Sequence, residues 1–215
     1  MKPNFAIAIP TINRADLLIP TLIEYRNQFI TIDICVLDNG HQDIPFDMDD
    51  VFVIKAESNL GVAESWNTMC RIIFKQYDYA LILNDDVRIG GNINDIQEII
   101  SLMEISGSGV CTSEQGWCAF ILSKQTFEEV GDFDKIFFPA YFEDCDYHYR
   151  LNLAGSILSK SKSLNPIVYR QSSSIDKDAS LNNSKENLKR YIAKWGGQPA
   201  LEKYTVPYNG YTKKV

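Results

Sequence analysis

The sequence predicts an α/β fold, a mostly parallel central sheet flanked by helices. Three observations carry this. Over the first 90 residues, short apolar runs of strand length alternate with longer runs of helical spacing. The short runs end in polar residues, as parallel strands do where their carboxyl ends face a ligand. A chain of 215 residues, 45% hydrophobic and 23% charged, suffices for one core of ordinary globular composition.

The elements follow in chain order. FAIAI (5–9) is a strand by brevity and composition. Residues 14–28 have helical spacing, with Leu17, Leu18, Thr21, Leu22 and Tyr25 on one side, and Pro20 is expected to kink or split the helix. Strands follow at 31–38, ending in the turn dipeptide Asn39-Gly40, and at 51–56. A helix over 61–76 carries Val62, Trp66, Met69, Ile72 and Ile73 on its apolar face, and YALIL (79–83) is the fourth strand. The second half is less regular. Helices are expected over 95–104 and 141–155, the latter stopped by Gly155. Between them, 109–131 reads as strand, loop, strand and short helix, and 164–170 as a late strand. Ser, Asn, Asp and Lys then dominate 171–187, which reads as a mobile loop before a helix over 184–195 and a loop-like tail. One domain over 1–215 is expected, with parts at 1–90, 91–170 and 171–215.

Composition excludes several function classes. A net charge of −7 argues against a surface that coats nucleic acid. The five cysteines are scattered with no C-x-x-C pair, so reduced thiols are expected rather than disulfides or a zinc site. No apolar run reaches the roughly 18 residues of a membrane span, and FAIAIP is too short for a secretory leader. A soluble, cytoplasmic protein is expected, with peripheral membrane contact left open.

Motifs narrow the chemistry further. PTINRAD follows the first strand where a dinucleotide-binding turn would carry its glycines. There is no P-loop, no G-x-S-x-G and no H-E-x-x-H, and only His41 and His148 are available for a histidine metal centre. What remains is carboxylate chemistry. Asp85 and Asp86 end the fourth strand, and if extended they point opposite ways, one toward a metal and one toward a ligand hydroxyl. Oxygen-only ligands suit Mg²⁺ or Mn²⁺, which join one or two carboxylates to a ligand's phosphates. A solvated turn is the bland alternative. Glu143, Asp144 and Asp146 form a second acidic group, read either as complements to a helix dipole or as a general base facing a diphosphate.

With these residues in view, the chain resembles a family 2-type glycosyltransferase of the GT-A fold, a small single-domain member like bacterial or virus-encoded ones. AIAIPTINR resembles the opening strand and nucleotide loop, ICVLDNG the second strand with its base-binding aspartate, and NLGVAESWN the helix start beside the nucleotide. LILNDDV matches the position of the DXD motif, and GDFDKIFFPAYFEDCDYHYRLNLAG the acceptor-side segment with its Glu-Asp pair. YIAKWGG resembles a late segment of many members, so the likeness spans roughly residues 4 to 197.

The resemblance implies a transfer from a nucleotide-diphospho-sugar, UDP-linked, to a glycan or glycoconjugate hydroxyl, inverting and assisted by Mn²⁺ or Mg²⁺. Residues 1–90 become the nucleotide half and 91–170 the sugar and acceptor half. Pro10, Thr11 and Asp38 would line the nucleobase pocket, with Asn13 and Arg14 beside them. Asn59 and Asn67 would support the nucleotide and ribose. Asn84 and Asp85 would take the donor side, Asp86 the metal, Asp144 the role of base, and Glu143 would position acceptor or sugar. Gly116 and Trp117 would shape the sugar pocket. Residues 171–187 would close over the donor.

Two departures stand out. The motif is Asn84-Asp85-Asp86, so the first acid of a strict D-x-D is an amide. Where many relatives carry a late metal-binding histidine, this chain has Arg170, which suits a diphosphate instead; His148 is the candidate replacement ligand. Core or packing roles remain open for Trp66, Trp117 and Asn67, and a structural ion pair for Asp146 and Arg150. The rival functions are nucleotidyl transfer and an inactive nucleotide-sugar-binding module.

Overall fold

The computed structural model describes residues 4–44, 50–169 and 177–211. Arg170, assigned to the diphosphate, lies outside the described residues. The main sheet is built from β1 (Phe5–Thr11), β2 (Ile34–Asp38), β3 (Val51–Lys55), β4 (Tyr79–Leu83), β6 (Ser108–Ser113), β7 (Gly116–Ser123) and β8 (Ile157–Ser161), in the order β3-β2-β1-β4-β7-β6-β8. Pairs β3/β2, β2/β1, β1/β4 and β6/β8 are parallel, and β4/β7 and β7/β6 antiparallel. A small sheet joins β5 (Val87–Ile89) to β9 (Pro166–Tyr169). The helices are α1 (Ala15–Gln28), α2 (Gly61–Ile73), α3 (Ile93–Ser106), α4 (Lys124–Val130), α5 (Glu143–Leu153) and α6 (Lys177–Trp195).

Alternation along the strands creates two cores, because successive side chains leave opposite faces. Ile7 and Ile9 of β1 join Leu18, Leu22, Ile96 and Ile100 under α1 and α3. Ala6 and Ala8 face the other way, where their small size admits Trp66, Met69 and Ile73 of α2 together with Phe120, Phe133 and Tyr147. Trp66 is therefore a core residue on most of its surface, edge-on to Phe133 at 5.0 Å and Phe120 at 5.1 Å.

Several expectations are corrected. α1 runs through Pro20 as one helix, with the Thr21 hydroxyl donating 2.9 Å to the Leu17 carbonyl. β5 and β8 were not expected, being three residues long and mostly polar respectively. The largest correction is α6. Its polar first half reads as loop by composition, yet the helix begins at Lys177, so the expected loop over 171–187 is helical from 177 onward. Burial of the far end explains this. Tyr191 and Trp195 pack with Phe137 and the flank of α5, and helices in proteins take most of their stability from such packing.

The same contact buries a charge network. Asp146 is 0% exposed, and its Oδ1 accepts from Lys194 Nζ at 2.6 Å and Trp195 Nε1 at 2.8 Å. Its Oδ2 takes Arg150 Nε at 2.9 Å, the expected pair four residues apart, and Lys194 also reaches Asp134 at 2.7 Å. All five cysteines are free. Among the described residues no helix is long and apolar enough to cross a membrane.

Candidate active site

Strand order reverses between β1 and β4, since β2 lies on one side of β1 and β4 on the other. In open α/β sheets the ligand crevice lies at that switch point, beyond the carboxyl ends. A cavity of about 1110 Å³ opens there. Its walls come from the ends of β1 (Pro10, Thr11, Ile12) and β4 (Asn84, Asp85, Asp86), the start of α2, Trp117 and Cys118 of β7, the turn before α5, and α6. Asp85, Asp86, Glu143 and Asp144 are the charged residues lining it, and no lysine or arginine joins them among the described residues.

The first acid pair is set by strand pairing. β1 and β4 lie side by side in parallel, which brings Thr11 to Asp85 across 74 residues of chain. The Thr11 hydroxyl donates to Asp85 Oδ2 at 2.8 Å. Burial raises the Asp85 carboxyl to about 6, helped by the charge of Asp86 and opposed by the Thr11 bond, Arg14 and the Ile12 amide. Asp86 is 6% exposed.

The second pair is set by a strained turn. Tyr141 (φ 81°) and Phe142 (φ 75°) are both left-handed, a conformation bulky side chains rarely adopt. α5 begins immediately after them with Glu143. Glu143 is 6% exposed, and its Oε2 is sealed with no hydrogen-bond partner among the described residues. Burial, with Asp144 adding like-charge repulsion, pushes its carboxyl up to about 8. Asp144 is half-buried in the cavity wall, with Oδ1 accepting from the Cys145 amide at 2.8 Å.

The other expected site residues divide. Asn59 lines the cavity and holds the Gly61 amide at 2.9 Å. Trp117 lines it too, edge-on to Phe120 at 4.9 Å and to Phe133 and Tyr147 at 6.1 Å, so one face belongs to the core. Asp38 is fully buried behind the cavity, its oxygens accepting from the amides of Gly40 at 2.8 Å and Gln42 at 2.7 Å. Asn13 is exposed with φ 54° and packs on Gly40, where a Cβ would fall 2.4 Å from its Oδ1. Arg14 pairs with Asp16 at 2.9 Å, and the charges of Asp85 and Asp86 also act on it.

Like Asp38, Asn13 and Arg14, three further expected residues lie outside the lining. Asn67 does not enter the cavity: its amide is joined to the Phe133 backbone in both directions, each at 2.8 Å. Gly116 is outside the lining, at the start of β7 with φ 103°. His148 is exposed on α5 and does not line the cavity; four residues after Asp144, it lies one turn farther along the helix. No group of three His, Cys, Asp or Glu is gathered as a metal centre among the described residues.

Sequence reading did not single out Ser65 or Tyr141 as cavity residues, whereas Ser180, Leu181 and Ser184 fall within the 171–187 segment expected to close over the donor. Asn39 bridges β2 to α2, donating to Ser65 Oγ at 2.7 Å. The Tyr141 hydroxyl bonds Ser180. Ser65 sits on α2 and Tyr141 in the turn before α5, where only tertiary packing reveals a cavity wall.

The sequence matches no protein-family model and no curated protein. Solved structures do match it. The mannosyltransferase PcManGT from Pyrobaculum calidifontis, in complex with GDP-Man and Mn²⁺, superposes with a TM-score of 0.62 at 14% identity, over 76% of this chain and 56% of that one. S. aureus TarS gives 0.58 at 13%, over 74% and 35%. GalNAc-T7 with UDP, GalNAc and Mn²⁺ gives 0.67 at 11%, over 89% and 48%. The chain thus spans about half or less of the solved chains it matches. Its mixed sheet with helices on both faces has the GT-A fold.

Proposed function

We propose that the protein is a glycosyltransferase that moves a sugar from a nucleotide-diphospho-sugar, UDP-linked, to a hydroxyl of a glycan or glycoconjugate by a single inverting displacement. The observation that carries this reading is the cavity at the topological switch point, lined by two acid pairs and by no cation among the described residues. An all-acid wall repels a diphosphate unless a cation is bound with it.

The residues present fit a divalent ion. Mn²⁺ and Mg²⁺ need only one or two carboxylates when waters and substrate phosphates complete the shell, so the lack of a three-residue cluster does not count against one. Asp86 would hold it, with Asp85 beside it, and the ion would neutralise charge on the departing nucleoside diphosphate.

The chain's own residues do the rest. Pro10, Thr11 and Asn59 bind the nucleotide, Asp38 shaping the loop behind them through its bonds to Gly40 and Gln42. Asp144 takes the acceptor proton as the hydroxyl attacks, a step that a placed carboxylate typically accelerates 10²–10⁴-fold. Glu143 positions sugar or acceptor, and Trp117 offers its free face to a sugar ring.

The test is incubation with UDP- and GDP-linked sugars plus Mn²⁺, following nucleoside diphosphate release with and without a saccharide acceptor. Acceptor-stimulated release supports the reading. Pyrophosphate release would favour nucleotidyl transfer, and binding without turnover an inactive module.

A further inference from the structure

The turn that carries the second acid pair is held from α6, by a residue no sequence motif marks. Asn187 is 1% exposed, and its Nδ2 donates to the carbonyls of Phe137 at 2.6 Å, Ala140 at 2.8 Å and Tyr141 at 3.1 Å. An amide has two N–H groups, so three acceptors share them. Arg190 Nη1 donates to Asn187 Oδ1 at 2.8 Å, to Ile136 O at 2.8 Å and to Phe138 O at 3.2 Å. The Val62 amide takes Pro139 O at 2.8 Å, and the Asp146 amide takes Phe142 O at 2.9 Å. Every carbonyl from Ile136 to Phe142 is therefore claimed, and three of the seven by one side chain.

This accounting explains how two aromatic residues stay left-handed. Such a conformation is costly for a bulky side chain and persists only when the surroundings over-determine it. Asn187 binds the carbonyls of Ala140 and Tyr141, which flank the first strained residue, and the chain leaves the second directly into Glu143 and Asp144.

We propose that Asn187 is a positioning residue for sugar transfer: by holding the Tyr141–Phe142 turn in its left-handed form, it sets Glu143 and Asp144 in the cavity wall. The proposal rests on the reading of Asp144 as base. Misplacement of a catalytic group by about 1 Å costs on the order of 10²-fold in rate, whereas the nucleotide side of the cavity is built on other elements.

The test is Asn187→Asp, which keeps the shape and the oxygen facing Arg190 but turns the donor nitrogen into an oxygen facing three carbonyls. UDP binding with Mn²⁺ is measured by calorimetry, and kcat from UDP release out of UDP-sugars. We expect kcat to fall about 10- to 100-fold, with the UDP dissociation constant within about threefold of wild type. Trp195→Phe is the comparison. It removes the indole bond to Asp146 and none of the bonds to the turn's carbonyls, and should lower Tm while keeping kcat per folded molecule. If Asn187→Asp does not fold, Asn187→Ser, with one donor left, takes its place with a smaller fall in kcat. An unchanged kcat per folded molecule, or an equal loss in Trp195→Phe, overturns the proposal. A wild-type protein that binds UDP-sugars but releases no UDP sinks the transferase reading instead. Crystal structures of wild type and variant then decide the inference, since Tyr141 and Phe142 keeping φ near +80° in the variant would refute it.

Discussion

Two pairs of adjacent acids face one cavity, and their surroundings give the four carboxyls different tasks. Asp85 accepts the Thr11 hydroxyl, while Glu143 has one sealed, unpartnered oxygen, and the backbone bonds to its carboxyl do not offset its burial. The half-buried Asp144 keeps access to water and substrate. Asp144→Asn should therefore retain UDP binding with Mn²⁺ and lose transfer by 10²-fold or more; transfer at the wild-type rate in that variant would remove Asp144 from the role of base. Glu143 yields a stability prediction. Its folded carboxyl titrates near 8, above its ordinary value near 4.5, so between those limits the folded state holds the extra proton. Stability from this group is complete below about pH 4.5 and is lost as pH rises toward 8, with a slope of up to about 1.4 kcal/mol per pH unit. Glu143→Gln mimics the protonated form. Its Tm relative to wild type should rise steadily from pH 5 to pH 8, and parallel melting curves across that range would count against the burial argument. The Asp85-Asp86 pair was legible in the sequence because a strand end announces itself by composition. The sealed environment of Glu143 was not, since it depends on what α6 and the preceding turn lay over it.

At the scale of elements, the parallel half of the sheet was readable and the α6 wall was not. FAIAI, ICVLD and YALIL are apolar enough to be placed by local pattern alone, and their chain order dictated a shared ligand edge. The segment from 177 to 184 is polar enough to read as loop, and it is helical because residues a dozen positions later, Tyr191 and Trp195, anchor it. β8 and β5 escaped for a related reason: a strand that is half-exposed, as β8 is, or only three residues long, as β5 is, takes its identity from a neighbour rather than from its own residues. The join between α2 and the turn before α5 has a direct test. Gly61 opens α2 with φ 71°, and a Cβ there would lie 2.8 Å from the Phe138 ring and 2.9 Å from the Pro139 carbonyl oxygen. Gly61→Ala should cost about 2 kcal/mol from the left-handed backbone alone. That is a Tm loss of roughly 4–8 °C for a chain of this size, by calorimetry. An unchanged Tm would mean that the two elements are not packed as described.

At the scale of the whole molecule, net charge and cavity charge point the same way, and together they constrain how a diphosphate enters. The chain carries −7 overall, and the cavity wall adds four acids with no lining cation among the described residues. Arg14 stands in the field of Asp85 and Asp86 but is tied to Asp16, so it offers the ligand little. Nucleotide and divalent ion should therefore bind with strong positive coupling, each supplying the countercharge the other lacks. UDP alone and Mn²⁺ alone should each shift Tm by little. Together, at about 100 times the dissociation constant, they should stabilise by about 2.7 kcal/mol, a rise of roughly 5–10 °C that chelation with EDTA reverses. Asp86→Asn should abolish the coupled part of that shift and leave the melting of the unliganded protein near wild type. A full shift with UDP in the presence of EDTA would contradict the account, because the acid pairs would then be tolerating a bare diphosphate that electrostatics says they repel.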